Sequence, residues 1–278
     1  MRRSLARARQ VLALTSVGAI AWAAIGTASS ASAPNTELAA IKKAGVITIG
    51  MAETPPFEWT TSSGKWVSFN PVLAEKLAAY LHVKYKFVTT GWTGIVAGLQ
   101  TGKYDIVGAA INATPTREKV INFSHPYYQT GTSFFSLASN PKKLTSISAL
   151  NKPDVSVAVV TGSDNQEAIS KYLPKAQVRA LPNASVANLV SEVVSGRADA
   201  LATSTYLAPA LDKKYHFVVA PSLSKAPYGV LPVGVAWGVP KGQAHLLAKI
   251  NTFLAKEARN GDISKLEKKW LTPANSLK

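Results

Sequence analysis

The chain of 278 residues contains no cysteine, and this absence excludes several kinds of chemistry at once. Without a thiol there is no disulfide, no thiolate nucleophile, no thiolate metal site and no lipid-modified cysteine. Histidine is also sparse, and none of the four has a partner at the spacing of a metal-ligand pair. We therefore expect neither a metal site nor a cofactor. The four histidines are His82, His125, His216 and His245.

The signatures of common enzyme classes are missing as well. The chain has no G-x-S-x-G nucleophile elbow, no phosphate-binding loop and no dinucleotide-binding fingerprint. Only 15 residues are acidic, and no pair of carboxylates stands out as a general acid and base. Catalytic groups can be distant in the chain, but nothing points positively to catalysis. We therefore predict that the protein is not an enzyme and has no catalytic residues.

Acidic residues are outnumbered by 31 lysines and arginines, which gives a formal net charge of +16. The first 33 residues hold four arginines and no acid, so residues 34–278 keep a charge of +12. The basic residues are scattered or form short pairs such as Lys142-Lys143. No basic helix or aromatic-interleaved basic run is present, so we expect a solvated surface and no nucleic-acid partner.

Long apolar runs are missing after residue 33, whereas residues 1–33 have the three parts of a signal peptide. Four arginines form a basic start, Val11 to Ile25 is mostly apolar, and Ala31-Ser32-Ala33 is a small-x-small cleavage site. A membrane anchor is the alternative, but the run is shorter than the ~20 residues that a span needs. We predict an exported, periplasmic protein, with secretion and twin-arginine export left open.

Strands and helices alternate along most of the chain, which is typical of an α/β fold with a mainly parallel sheet. Residues 91–117 show the unit: Thr93 is a candidate helix N-cap, Gly102 ends the helix, and residues 104–110 form a buried strand. The order of helix, glycine, cation, acid and buried strand recurs at 192–202. The recurrence predicts two similar lobes.

Three further positions carry predictions about local structure. Asp105 and Asp199 lie at the entry ends of the two buried strands, opposite the end where α/β sheets bind ligands, which favours a structural role over a catalytic one. Asn70-Pro71 resembles a cap residue followed by proline at the first helical position, so we expect a helix to begin there.

A polar, cationic loop follows the carboxyl end of the strand at 104–110, which is where open α/β sheets bind their ligands. Arg117 lies in this loop close to Asn112 and Thr114. Arginine binds a carboxylate through two parallel hydrogen bonds, so Arg117 is a candidate anchor for an anionic ligand. A surface salt bridge with Glu118 or a neighbouring residue is the alternative.

A second candidate anion site lies at Gly162-Ser163-Asp164, directly before a predicted helix. Free backbone amides and the helix dipole favour an anion at such a place. Trp92 and Phe57 are expected to form apolar walls for the rest of the ligand, although Phe57 is equally suited to closing the end of the core. The arginine and the amides together predict a site for one carboxylate.

Six segments together resemble the extracellular solute-binding protein family 3, the polar amino-acid receptors of bacterial ABC importers. The resemblance covers nearly all of the chain after residue 33. It implies an α/β fold of the type II periplasmic-binding-protein kind, with two doubly wound sheets joined by a two-strand hinge. It also implies one lobe of residues 34–133 plus 234–278 and another of residues 134–233. The segments are MAETPPFEW, GWTGIVAGLQTGKYDIV, NATPTREKVINFSHPYY, VAVVTGSDNQ, SGRADA and INTFLAKEARNGDISKLEKKWL.

The resemblance also implies roles for particular residues. In similar proteins the arginine of the T-P-x-R segment holds the ligand α-carboxylate, and here it is Arg117. Asn112 is implied to contact the carboxylate or the amine, and the carbonyl of Ala110 to face the amine. Ser163 and Asp164 match a second-lobe turn that grips the carboxylate. The other positions of the predicted ligand site are Trp92, Phe57, Gly162 and Ser204.

One departure from the family pattern concerns the ligand amine. Family members carry an aspartate shortly after the G-R-x-D-A segment, and this chain has Ser204 there. Unless Glu53 or Asp164 substitutes, a cationic amine is poorly neutralised. We therefore predict a small carboxylate ligand, an amino acid or a close analogue, with its amine left open. The resemblance implies a monomeric receptor that delivers this ligand to ABC permease subunits, and the alternative is an exported cyclohexadienyl or arogenate dehydratase.

Overall fold

The computed structural model describes residues 35–277, so the predicted signal peptide at 1–33 lies outside the described residues. The first elements in chain order are α1 (Glu37–Ala44), β1 (Val46–Met51), β2 (Trp59–Thr60), β3 (Trp66–Val67), α2 (Phe69–Tyr80), β4 (Lys84–Thr89), α3 (Ile95–Gln100), β5 (Ile106–Asn112), α4 (Pro115–Glu118) and β6 (Ile121–Phe123). They are followed by β7 (Tyr128–Leu137), α5 (Ile147–Leu150), β8 (Ser156–Val160), α6 (Asp164–Tyr172), β9 (Gln177–Leu181), α7 (Val186–Val194), β10 (Ala200–Ser204), a 3₁₀ turn (Thr205–Leu207), α8 (Ala208–Tyr215) and β11 (Phe217–Ala220). The last are β12 (Val230–Pro240), α9 (Ala244–Arg259) and α10 (Asp262–Trp270).

The sheet repeats one arrangement on either side of its centre. In the first half β1 is parallel to both β4 and β5, and β12 pairs antiparallel with β5. In the second half β8 is parallel to both β9 and β10, and β7 pairs antiparallel with β10. Strand order is therefore β4-β1-β5-β12 and β9-β8-β10-β7. The repeat predicted from residues 91–117 and 192–202 is confirmed.

The long strands β7 and β12 cross from one half to the other and pair with each other, between Tyr128–Thr130 and Val233–Val235. Because they pair, the two predicted sheets are hydrogen-bonded into one continuous ten-stranded sheet within residues 35–277. The α/β, two-lobed fold class is confirmed, with this junction as the predicted two-strand hinge region.

Each half buries its own apolar core. The first-lobe core packs α2 and α9 on one side of the sheet, where α9 presents Leu246, Ile250 and Phe253 at helical spacing. The second-lobe core packs α6 and α7 against β8 and β10. Strand β5 is buried at all seven positions, as expected for a strand covered on both faces. None of the described helices is both long and apolar enough to cross a membrane.

The matched aspartates hold the starts of neighbouring strands. Asp105 Oδ2 accepts hydrogen bonds from the Thr48 amide at 2.5 Å and the Thr48 hydroxyl at 2.8 Å. Asp199 Oδ2 accepts the equivalent pair from Ser156, at 2.9 and 3.2 Å. Both side chains satisfy backbone donors at strand ends. The predicted structural role of these aspartates is confirmed.

Two predicted helix starts are wrong. Thr93 does not cap α3, because Gly94 occupies the N-cap position without a side-chain bond and the Thr93 hydroxyl donates instead to the Thr161 carbonyl at 3.4 Å. Asn70 lies within α2 rather than before it. Its buried amide is used elsewhere, since Nδ2 donates to Glu58 at 2.6 Å and Oδ1 accepts from the Tyr127 hydroxyl at 2.8 Å.

Candidate functional site

The six parallel strands all end at one cleft between the lobes, with a volume of about 620 Å³. This is the edge at which open α/β sheets bind ligands, because the chain loops leave the sheet there from both sides. The cleft is lined by Ala52–Thr54 after β1, Thr89–Trp92 at the end of β4, Asn112 of β5, Ser163–Asn165 after β8, Asn183–Ser185 after β9, and Ser204 and Tyr206 at the end of β10.

Arg117 is turned towards the cleft by the short helix α4. Thr114 is its N-cap, and the Thr114 hydroxyl accepts a hydrogen bond from the Arg117 amide at 3.4 Å. Pro115 occupies the first turn, where its missing N–H costs nothing. The single turn brings Arg117 back over the end of β5, where Nη1 donates to the Asn112 carbonyl at 3.0 Å. The T-P-x-R pattern thus folds the arginine back onto the end of its own strand.

The Arg117 guanidinium is buried at the meeting of the lobes, with 8% of the residue exposed. Nη2 donates to the Gly162 carbonyl of the second lobe at 3.4 Å, and the group lies over the Trp92 ring at 5.6 Å. Burial lowers the pKa of Arg117, and the negative charges of Asp164 and Glu167 oppose that shift. Within residues 35–277 it forms no salt bridge, so the predicted alternative of a bridge to Glu118 is wrong.

Asn112 links the two lobes at the centre of the cleft. Its Nδ2 donates to Asp164 Oδ2 at 2.6 Å, while its Oδ1 is buried without a hydrogen-bond partner among the described residues. Asp164 is the first residue of α6, behind the N-cap Ser163, whose hydroxyl accepts from the Gln166 amide. The helix start therefore directs a carboxylate into the cleft from the second lobe.

The remaining predicted site residues also border the cleft. Ala110, 7% exposed, and Ser204, 9% exposed, lie on its walls. Phe57 borders it from within the core, because its ring is fully buried and packs edge-on against Phe69, Tyr128 and Tyr206. Of the two interpretations of Phe57, the core role is the one that its burial supports. Seven of the nine predicted positions therefore line the cleft, whereas Arg117 and Gly162 lie beside it and are joined by their hydrogen bond.

A buried carboxyl group lies beneath the wall of the cleft. Glu58 is fully buried, and its Oε1 accepts the amide of Ala110 at 3.0 Å while Oε2 accepts from Asn70. Burial raises its pKa to about 8, although the hydrogen bonds from Ala110 and Asn70 pull in the other direction. Asn70 continues this network to Tyr127 and Trp237 near the crossing strands.

Several cleft residues were not predicted from the sequence. Thr90, Asn183 and Tyr206 lie just past the carboxyl ends of β4, β9 and β10. They follow the same pattern as Arg117, since open α/β sheets bind ligands at residues that come just past the carboxyl ends of their strands. Thr130 lies near the start of β7 and Val235 in the middle of β12, and no local signal marks them. Among the described residues, no group of three acids or histidines is placed to hold a metal ion.

Two lobes, a cleft at their strand ends and a buried arginine define the class of two-lobed ligand-binding proteins. Comparison with known proteins names the family. The profile of the bacterial extracellular solute-binding proteins, family 3, matches residues 47–273, and the chain belongs to this family. The family and most of the named relatives are binding proteins.

Three relatives place the chain within the family. It is 30% identical over 256 residues to the ABC transporter glutamine-binding protein GlnH of Bacillus subtilis, covering 88% of each chain. It is 26% identical over 188 residues to cyclohexadienyl dehydratase of Pseudomonas aeruginosa, covering 67% of this chain and 69% of the relative. The crystal structure of the ancestral amino-acid-binding protein AncCDT-1, a precursor of cyclohexadienyl dehydratase, superposes with a TM-score of 0.75 at 36% identity, covering 84% of this chain and 99% of that one.

Proposed function

We propose that the protein is an exported receptor that captures a small carboxylate ligand, an amino acid or a close analogue, in the cleft and delivers it to an ABC permease. The observation that carries this proposal is the buried guanidinium of Arg117, which has no salt bridge within the described part of the chain. A buried cation is costly unless a counter-charge is brought to it. A ligand carboxylate would supply that charge and accept two parallel hydrogen bonds.

Two of the five guanidinium N–H donors already bond to the Asn112 and Gly162 carbonyls. The others remain for a ligand. Trp92 holds the guanidinium plane from one side, so the group is oriented before binding and less conformational freedom is lost. The amides of Gly162 and Ser163 already donate to Gln166 Oε1 at 2.8 Å and to the Val160 carbonyl at 3.3 Å, so Arg117 is proposed to supply the main donors for the ligand carboxylate.

Capture by closure of the lobes fits the contacts across the cleft. Thr116 of the first lobe donates to Glu167 of the second at 2.9 Å, and Thr93 donates to the Thr161 carbonyl. We propose that lobes of residues 34–133 plus 234–278 and of 134–233 open and close about the crossing strands. Export by a signal peptide at 1–33, a periplasmic location, docking of a monomer on permease subunits and the absence of a nucleic-acid partner complete the proposal.

The dehydratase relative supplies the enzymatic alternative, and its 26% identity does not favour it over the binding members. An enzyme on this scaffold would need an acid or base free to act over the ligand. Asp164 is engaged by Asn112, and Glu53 accepts the Thr60 amide at 3.1 Å on the exposed rim. We expect no turnover of a prephenate-like substrate; measurable release of product would favour the enzyme instead.

Arg117→Ala tests the proposal directly. Binding of the twenty common L-amino acids and their 2-keto and 2-hydroxy acids is measured by titration calorimetry on protein freed of endogenous ligand by unfolding and refolding. For the compounds that bind, the variant should lose about 10- to 150-fold in affinity, since charge-assisted hydrogen bonds contribute about 1.5–3 kcal/mol. Circular dichroism should show an intact fold.

Arg197→Ala is the matched control, because Arg197 pairs with Glu192 on the surface of the second lobe, away from the cleft. It removes the same charge and should leave affinity unchanged. Equal affinity of wild type and Arg117→Ala for every ligand that binds would refute the role of Arg117.

A further inference from the structure

Two opposite charges lie at or beside the cleft, one from each lobe, and neither has a salt-bridge partner among the described residues, although each acts electrostatically on the other. Arg117 approaches from the first lobe and Asp164 from the second, and both are more than nine-tenths buried. Neither forms a salt bridge with any residue from 35 to 277. Separated, buried charges of opposite sign are costly by themselves and suit a ligand that carries both signs.

The Asp164 carboxylate is held in place but only partly used. Asn112 Nδ2 fixes Oδ2 at 2.6 Å, and Asp164 is the first residue of α6. A carboxylate has about four lone-pair positions, and Oδ1 receives no hydrogen bond from the described protein. One face of the group therefore remains for a donor in the cleft.

The family resemblance assigned Ser163 and Asp164 to the ligand carboxylate, but a second carboxylate beside Asp164 would be repelled by it. The same resemblance placed the acid for the ligand amine at Ser204. Ser204 lies on the cleft wall, but its hydroxyl is neutral and cannot balance an ammonium. Glu53, the other acid at the cleft, is on the exposed rim and is bonded to Thr60.

We propose that Asp164 holds the cationic amine of the ligand in place of the acid missing at residue 204, so that the receptor selects zwitterionic α-amino acids. In this arrangement the acid that binds the amine lies at the start of α6, whereas the family pattern places it at the end of β10. Arg117 holds the carboxylate of the same ligand. This inference rests on the proposed function, because it takes the cleft to be the ligand site.

The test compares the same carboxylate with and without a charged amine. Wild type and Asp164→Asn, freed of endogenous ligand by refolding, are titrated with the twenty common L-amino acids and with the 2-hydroxy acids that match those that bind. Asparagine at 164 keeps an oxygen for Asn112, removes the charge and replaces the other oxygen by an NH₂ donor. Asp154→Asn is the control, because Asp154 is an exposed acid of the second lobe that does not line the cleft.

In wild type and in Asp154→Asn, an amino acid should bind about tenfold or more tightly than its 2-hydroxy acid. In Asp164→Asn this preference should shrink to within about threefold, mainly through weaker binding of the amino acid. A preference that survives in Asp164→Asn would overturn the assignment of Asp164.

Other outcomes separate this inference from the function on which it rests. If 2-hydroxy acids bind wild type as tightly as amino acids do, the amine site is refuted while the carboxylate receptor stands. If neither series binds the refolded wild type, both proposals fail. Thermal unfolding of each variant reports whether the fold is intact.

Discussion

Glu58 shows how a single buried side chain can make the stability of the whole receptor depend on pH. Burial raises its pKa to about 8, from the ordinary value of 4.5. Between these two values the folded protein keeps a proton that the unfolded chain releases. Its stabilising contribution is therefore complete below the unfolded pKa and is lost as the pH rises through the folded pKa.

Glu58→Gln should weaken this dependence. The wild-type free energy of unfolding, measured by urea denaturation, should fall by roughly 2–3 kcal/mol between pH 6 and pH 9, at ~1.4 kcal/mol per unit up to the folded pKa. The variant cannot ionise and should show a flatter curve. It should also be less stable than wild type at pH 6, because its amide NH₂ would face a donor, either the Ala110 amide or Asn70.

Glu118→Gln is the control for this series, since Glu118 is exposed at the end of α4. Its curve should follow that of wild type. Parallel pH profiles for wild type and Glu58→Gln would show that Glu58 does not titrate in this range.

At the same scale, the sequence was a good guide to residue types with a fixed chemical use. Arg117 and Asn112 could be found because a cationic, amide-bearing loop after a buried strand has few other purposes. Asn70 was misread, since a capping asparagine and a buried asparagine look the same before Glu58, Tyr127 and Trp237 are known to surround it.

At the scale of the element, the two βα units share one device for fastening a strand. Asp105 accepts from Thr48 at the start of β1, and Asp199 accepts from Ser156 at the start of β8. Both aspartates lie at the opposite end of the sheet from the cleft. Their loss should therefore affect folding rather than binding.

Asp105→Ala should lower the free energy of unfolding by about 1–3 kcal/mol, because the Thr48 amide loses its acceptor in a half-buried place. Affinity for ligand should stay within about twofold of wild type. Urea denaturation and calorimetry measure the two quantities. Asp154→Ala, which removes an exposed acid near the Asp199 site, should change stability by less than about 0.5 kcal/mol.

A change in affinity for Asp105→Ala as large as that for Arg117→Ala would contradict the structural role.

Helix ends were the least predictable part of the elements. Ser185 is an N-cap with a full capping box. Thr93 is an equally good N-cap candidate by residue type, but its hydroxyl donates to a carbonyl of the other lobe instead. The local sequence cannot predict a contact of that kind.

At the scale of the whole molecule, the lobes approach each other so closely that a side chain is excluded at Gly162. This glycine has a φ of +77°, and a Cβ there would lie 2.9 Å from Thr93 Cα of the first lobe. Real Cβ atoms do not come so close to backbone, so a larger residue would hold the lobes apart. The proposed closure therefore leaves no room for a side chain at this contact.

Gly162→Ala should reduce ligand affinity by about tenfold or more, because the lobes cannot close fully on the ligand. Gly196→Ala is its control: Gly196 has a φ of +73° in the same lobe, and its Cβ would meet nothing within 4 Å. Both variants should lose roughly 1–2 kcal/mol of stability from the left-handed backbone. Calorimetry and urea denaturation separate the two effects.

If Gly196→Ala weakened binding as much as Gly162→Ala does, backbone strain rather than blocked closure would be the cause. The two glycines have the same backbone conformation. Only the approach of the other lobe distinguishes them.

The sequence by itself determined the α/β class, the repeated unit, the strand ends at which ligand residues gather and the arginine that faces them. These follow from local periodicity and from residue chemistry, both of which depend only on residues close together in the sequence. Only the tertiary structure decided that β7 and β12 join the sheets, that Gly162 meets Thr93, and that Asp164 faces the cleft without a cation. These features are contacts between residues far apart in the sequence, and the local sequence pattern does not predict them.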